Sequence, residues 1–155
     1  MKKATGNMYN FVDYTWNPIK GKCIHDCKYC YMKQWGVQSD LCLVGNELKV
    51  ELGRDNYIFV CSGTDMFAVN IPDAWIMAVL SHCSKFSNKY LFQTKDPTRI
   101  LLQYEDHLPK DSVVGTTIET NREDLIKSVS DAPKVEERAI SLSHIRFPKM
   151  VTINQ

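Results

Sequence analysis

Cys23, Cys27 and Cys30 stand at C-x3-C-x2-C spacing on a stretch punctuated by Pro18 and Gly21. Three thiolates this close can hold three irons of a [4Fe–4S] cube, whereas an ordinary electron-transfer cube takes four cysteines. One iron would be left open, and an open iron is a place to bind and activate a substrate. The spacing therefore points to an enzyme ahead of an electron carrier. The rival chemistry is zinc, with His25 completing a Cys3His set. His25 lies between two of the cysteines, however, unlike the paired spacing of usual structural zinc sites. Cys42, Cys61 and Cys83 are scattered among apolar neighbours and read as small core residues, and His82, His107 and His144 have no ligand-like companions.

The elements that must position this loop follow from the apolar pattern. Residues 10–15 read as a first strand. Residues 57–61 form a β-branched and aromatic run ending in a turn at 62–65, and 72–80 have helical composition with Pro72 in the first turn. The unit repeats with a strand at 90–94 and a helix starting at Asp96-Pro97 and running through 98–104. It repeats again with a strand at 113–119 and a helix capped by Asn121 through residues 123–126, broken near Pro133 and resumed over 135–145. A last strand is expected at 150–153. About five strands alternating with helices imply right-handed βαβ units and a parallel sheet, the α/β class. Such sheets carry their functional loops at the carboxyl ends of the strands. That edge would gather the cysteine loop, residues 62–65, Thr94-Lys95 and residues 117–119.

Length and composition narrow the classes. At 155 residues the chain is expected to form one domain with a real core and no need of disulfides. A net charge of +1 argues against a globally electrostatic nucleic-acid binder. Lys20, Lys22, Lys28 and Lys33 near the cysteines, with Lys95 and Arg99, leave a local phosphate-binding role open beside a solvated loop face. No apolar run reaches membrane-helix or signal-peptide length, so a cytoplasmic protein with no membrane partner is expected. No Walker loop, dinucleotide fingerprint or serine-nucleophile elbow is present. Trp16, Tyr29, Tyr31 and Trp35 are candidate walls for an enclosed pocket.

The three cysteines with Tyr29 just before the third resemble the signature of the radical S-adenosylmethionine superfamily. Thr15-Trp16-Asn17-Pro18 upstream and Tyr29-Cys30-Tyr31 across the last ligand are similar to the phage-associated radical-SAM-like family, whose function is largely undefined. Residues 62–67, 71–76, 92–97 and 115–119 resemble that family's successive strand ends, so the likeness covers nearly the whole chain. The resemblance implies a partial parallel (β/α) barrel, shortened at its C-terminus relative to the family. Cys23, Cys27 and Cys30 would hold the [4Fe–4S] cluster, with S-adenosylmethionine on the open iron. It further implies Tyr29 against the adenine, Ser62, Gly63, Thr64 and Asp65 toward the methionyl amino group, and Thr117 and Glu119 toward the ribose or substrate. Reductive cleavage would give methionine and a 5′-deoxyadenosyl radical acting on an unknown substrate, fed by a reductant such as a flavodoxin or ferredoxin. A non-catalytic metal-binding module and a nucleic-acid repair or modification enzyme of the same chemistry are the alternatives.

Overall fold

The computed structural model describes residues 1–5, 9–120, 122, 125 and 128–153. Short apolar runs in parallel sheets are buried on both faces, and residues 58–60, 90–92 and 112–117 follow that rule. Strands β2 (Tyr14–Trp16), β5 (Tyr57–Val60), β6 (Lys89–Gln93), β7 (Ser112–Ile118) and β8 (Lys149–Ile153) pair in parallel in sequence order. β1 (Lys2–Lys3) adds an antiparallel edge beside β2, completing a six-stranded sheet, while β3 (Ile19–Lys20) and β4 (Cys42–Leu43) form a separate antiparallel pair. The five expected parallel strands are present. The first is displaced, because residues 10–11 form a turn and pairing with β5 begins only at Tyr14.

Sequential strand order with right-handed crossovers puts the connecting helices on one face. Helix α1 (Asp73–Cys83) buries Ile76, Val79, Leu80 and Cys83 there. Helix α3 (Val135–His144) buries Leu142, against Ile58, Val60, Tyr90, Phe92 and Val114 of the sheet. Between them, α2 (Pro97–Arg99) runs into a π-helical stretch, Ile100–Tyr104, and a 3-10 turn, Glu105–His107, where a short regular helix was expected. The wider turn places both Ile100 and Tyr104 in the core. Asp96 caps α2, its Oδ1 accepting from the Arg99 amide at 3.3 Å. The Asn121 cap and the helix through residues 123–126 fall largely outside the described residues.

The period of two sends the alternate strand residues to the opposite face. Phe59, Leu91 and Val113 share one register line there and pack with Tyr9 and Val12. Further toward the carboxyl ends the same face changes to Gln93, Thr117 and Thr152. The opposite face is thus apolar at its middle and polar at the edge where the cysteine loop arrives.

Candidate functional site

The cysteine loop leaves β3 through Gly21, whose φ of +117° suits glycine. A Cβ there would stand 2.5 Å from the Asp40 carbonyl oxygen, so only glycine lets the loop press against the approach to β4. The loop then turns tightly, with the Cys30 amide donating to the Cys27 carbonyl at 3.1 Å. All three cysteines, free of disulfides, line one cavity of about 220 Å3 at the carboxyl edge of the sheet. Tyr29, Ser62, Gly63, Thr64, Asp65 and Thr117 line it too. Glu119 stands just behind, accepting a hydrogen bond from the Tyr29 hydroxyl. The segments expected on this edge are therefore brought together.

Asp65 has the densest set of partners among them. This buried carboxylate accepts from His25 Nε2 (2.9 Å), Thr94 Oγ1 (2.9 Å) and the Lys95 amide (2.8 Å) on Oδ2, and from the Phe67 amide (3.0 Å) on Oδ1. Burial works to raise its pKa, and the bonds from His25, Lys95 and Thr94 outweigh that and leave it lowered. Through these bonds Asp65 ties the cysteine loop to the ends of β5 and β6, and its Oδ1 accepts only the Phe67 amide. The bond to Asp65 engages His25 Nε2. Among the described residues, no three His, Cys, Asp or Glu side chains are grouped so as to hold a metal ion.

Thr64 has the opposite character. Its hydroxyl oxygen is buried with no hydrogen-bond partner, in a residue that lines the cavity. An unpaired buried hydroxyl is costly unless something completes it. Ser62 Oγ and the Gly63 amide are already engaged, both donating to Asn17 Oδ1 at 3.2 Å. Asn17, beside Pro18 in the sequence, shapes that turn. A Cβ on Gly63 would make only ordinary contact with the Met32 side chain, 3.5 Å away, so the cavity does not demand glycine there.

On the far side, Glu119 gathers three donors. Arg138, fully buried on α3, reaches Oε2 at 2.8 Å, while Lys95 and Tyr29 meet Oε1. Burial pushes the Glu119 pKa up, but the bonds from Arg138, Lys95 and Tyr29 bring it down to about 2. Burial and the bond to Glu119 hold the Tyr29 hydroxyl well above its ordinary pKa, so it stays a neutral donor. The polar floor is a closed network: Tyr9 donates to Gln93 Oε1 at 2.7 Å, and Gln93 Nε2 donates to Thr117 Oγ1 at 3.1 Å and Thr152 Oγ1 at 3.4 Å.

Several other expectations change. Trp16 is fully buried in the core, its ring 5.1 Å from that of His82, and Trp35 is 77% exposed, so neither is a cavity wall; Tyr31 is one. Cys83 is a core residue as expected, but Cys42 is exposed because its two-residue strand lies outside the main sheet. Cys61 is buried and also lines the cavity, with its thiol pushed up to about 12 by burial. Four of the six cations considered for phosphate have partners within the chain: Lys20 with Glu47, Lys33 with Asp26, Lys95 with Glu119 and Arg99 with Asp73. Among the described residues, no helix is long and apolar enough to cross a membrane.

The architecture and site define an α/β protein whose mostly parallel sheet carries a thiol-lined cavity at its carboxyl edge. The chain matches no protein-family model, no curated protein and no solved structure.

Proposed function

We propose that this chain is a radical S-adenosylmethionine enzyme, or a shortened relative, with Cys23, Cys27 and Cys30 as ligands of a [4Fe–4S] cluster. The observation that carries the reading is the joint lining of one cavity by these three cysteines and by Tyr29, Thr64 and Thr117, at the edge where parallel α/β sheets keep their sites. Thiolates of a cube each meet a different iron, so they need not converge on one point as ligands of a single ion do. The cluster and S-adenosylmethionine, when bound, supply one-electron cleavage to methionine and a 5′-deoxyadenosyl radical.

The chain's own residues do the rest. The unpaired Thr64 hydroxyl is free to hydrogen-bond the bound cofactor, beside Asp65. Tyr29 provides an aromatic wall held in place by Glu119 and Lys95, and Glu119 is in turn fixed by Arg138. Gln93, Thr117 and Thr152 present uncharged donors and acceptors on the floor, where a substrate would enter. A one-electron donor of the flavodoxin or ferredoxin kind is the partner this chemistry calls for.

Anaerobic reconstitution with iron and sulfide tests the ligand set. Cys23→Ala, Cys27→Ala and Cys30→Ala should each lose the intact cube, while Cys42→Ala and Cys83→Ala keep it; equal loss from both groups would refute the assignment. Cys61 in the same cavity favours a second reading, a four-cysteine cluster in a non-catalytic module. Retention of four irons by Cys61→Ala decides for the open iron, and their loss decides for the module.

A further inference from the structure

Ser130 lies 103 positions from Cys27 in the sequence and directly against it in the fold. Its Oγ is 3.2 Å from Cys27 Sγ, and the residue is 7% exposed. Two backbone bonds bracket the contact: the Lys28 amide donates to the Val129 carbonyl, and the Asp131 amide donates to the His25 carbonyl, both at 2.8 Å. The segment before α3 is thereby stitched to the cysteine loop on either side of Cys27.

The Ser130 hydroxyl has one proton to donate. Ser130 Oγ accepts from the Ala132 amide at 3.2 Å, so its single O–H is free to donate. It has two acceptors in reach, Cys27 Sγ and, at 3.4 Å, the His25 carbonyl. The His25 carbonyl already accepts from Asp131, so withdrawing the Ser130 proton does not orphan it. A metal-bound Cys27 is a thiolate with no proton of its own, and the Ser130 hydroxyl is then the donor of the pair.

Resting on the cluster reading above, we infer that Ser130 is a positioning residue that donates a hydrogen bond to the cluster-ligating sulfur of Cys27 and raises the reduction potential of the cluster. A donor to a ligating sulfur stabilises the reduced, more negative cluster, and such bonds are among the recognised controls of cluster potential.

The test is an electron-paramagnetic-resonance redox titration of reconstituted wild-type protein, Ser130→Ala, Ser130→Thr and Ser128→Ala. Ser128 lies in the same segment, but its hydroxyl donates to the Leu125 carbonyl. With iron content equal, Ser130→Ala should titrate at a more negative midpoint, and Ser130→Thr and Ser128→Ala should keep the wild-type value. An unchanged midpoint in Ser130→Ala overturns the inference. So does loss of iron from Ser130→Ala with the remaining cluster at the wild-type midpoint, since that marks a packing role alone. If folded wild-type protein takes up no four-iron cluster, the reading under the proposed function fails and the inference falls with it.

Discussion

At the scale of residues, the site combines groups that are fully satisfied with one that is not. Asp65 and Glu119 have every carboxylate oxygen engaged, whereas the Thr64 hydroxyl has no partner. Removing an unpaired buried hydroxyl relieves a desolvation penalty of about 1–3 kcal/mol. Thr64→Val should therefore raise the melting temperature of the unloaded protein in calorimetry. In the cluster-loaded protein it should weaken S-adenosylmethionine binding roughly fivefold, the worth of one net hydrogen bond. A lowered melting temperature would contradict the assignment. Glu119 gives a pH prediction. Its folded pKa of about 2 lies below the ordinary 4.5, so its stabilising effect is complete above pH 4.5 and is lost as pH falls from there toward 2. The stability gap between wild type and Glu119→Gln, from urea midpoints, should be widest near neutrality and close across that window. A gap that widens on acidification would be the wrong sign. Of these residues, the cysteines are legible from their spacing and Tyr29 only through the family resemblance. Ser130, Arg138 and the His25–Asp65 pair are not, because nothing local to them in sequence reports a partner 19 to 103 positions away.

At the scale of elements, β5, β6 and β7 announce themselves because burial on both faces makes them continuous apolar runs. The pieces the sequence hides are those too short for a period to register. β3 and β4 are two residues each. The π-helical turn at Ile100–Tyr104 also escapes, since its apolar residues fit an ordinary helical pattern equally well. The short β3–β4 pair matters most for the site, because it launches the cysteine loop. Gly21→Ala would force a side chain onto a φ of +117° and against the Asp40 carbonyl. It should cost about 1–3 kcal/mol in urea denaturation and reduce cluster loading, while the far-ultraviolet circular dichroism of the main sheet persists. Wild-type stability and loading in this variant would show that the close approach is unimportant.

At the scale of the whole molecule, sequential parallel pairing sends every described crossover helix to one face and leaves the other to Tyr9, Val12 and the strand interiors. The cysteine loop closes over the carboxyl end of that second face and is fastened at three places: to Asp65 after β5, to Glu119 after β7 and to residues 129–131 before α3. Alternation in β6 carries the line Leu91, Gln93 from apolar floor to polar rim, which is how one strand serves both core and cavity. The claim that joins these scales is that the cavity holds a cluster with an open iron that cleaves S-adenosylmethionine. Anaerobically reconstituted protein, reduced with dithionite and given S-adenosylmethionine, should yield chromatographically detectable 5′-deoxyadenosine, and Cys30→Ala treated identically should yield none. A four-iron cluster that forms without 5′-deoxyadenosine, or zinc bound in place of any cluster, would contradict the account.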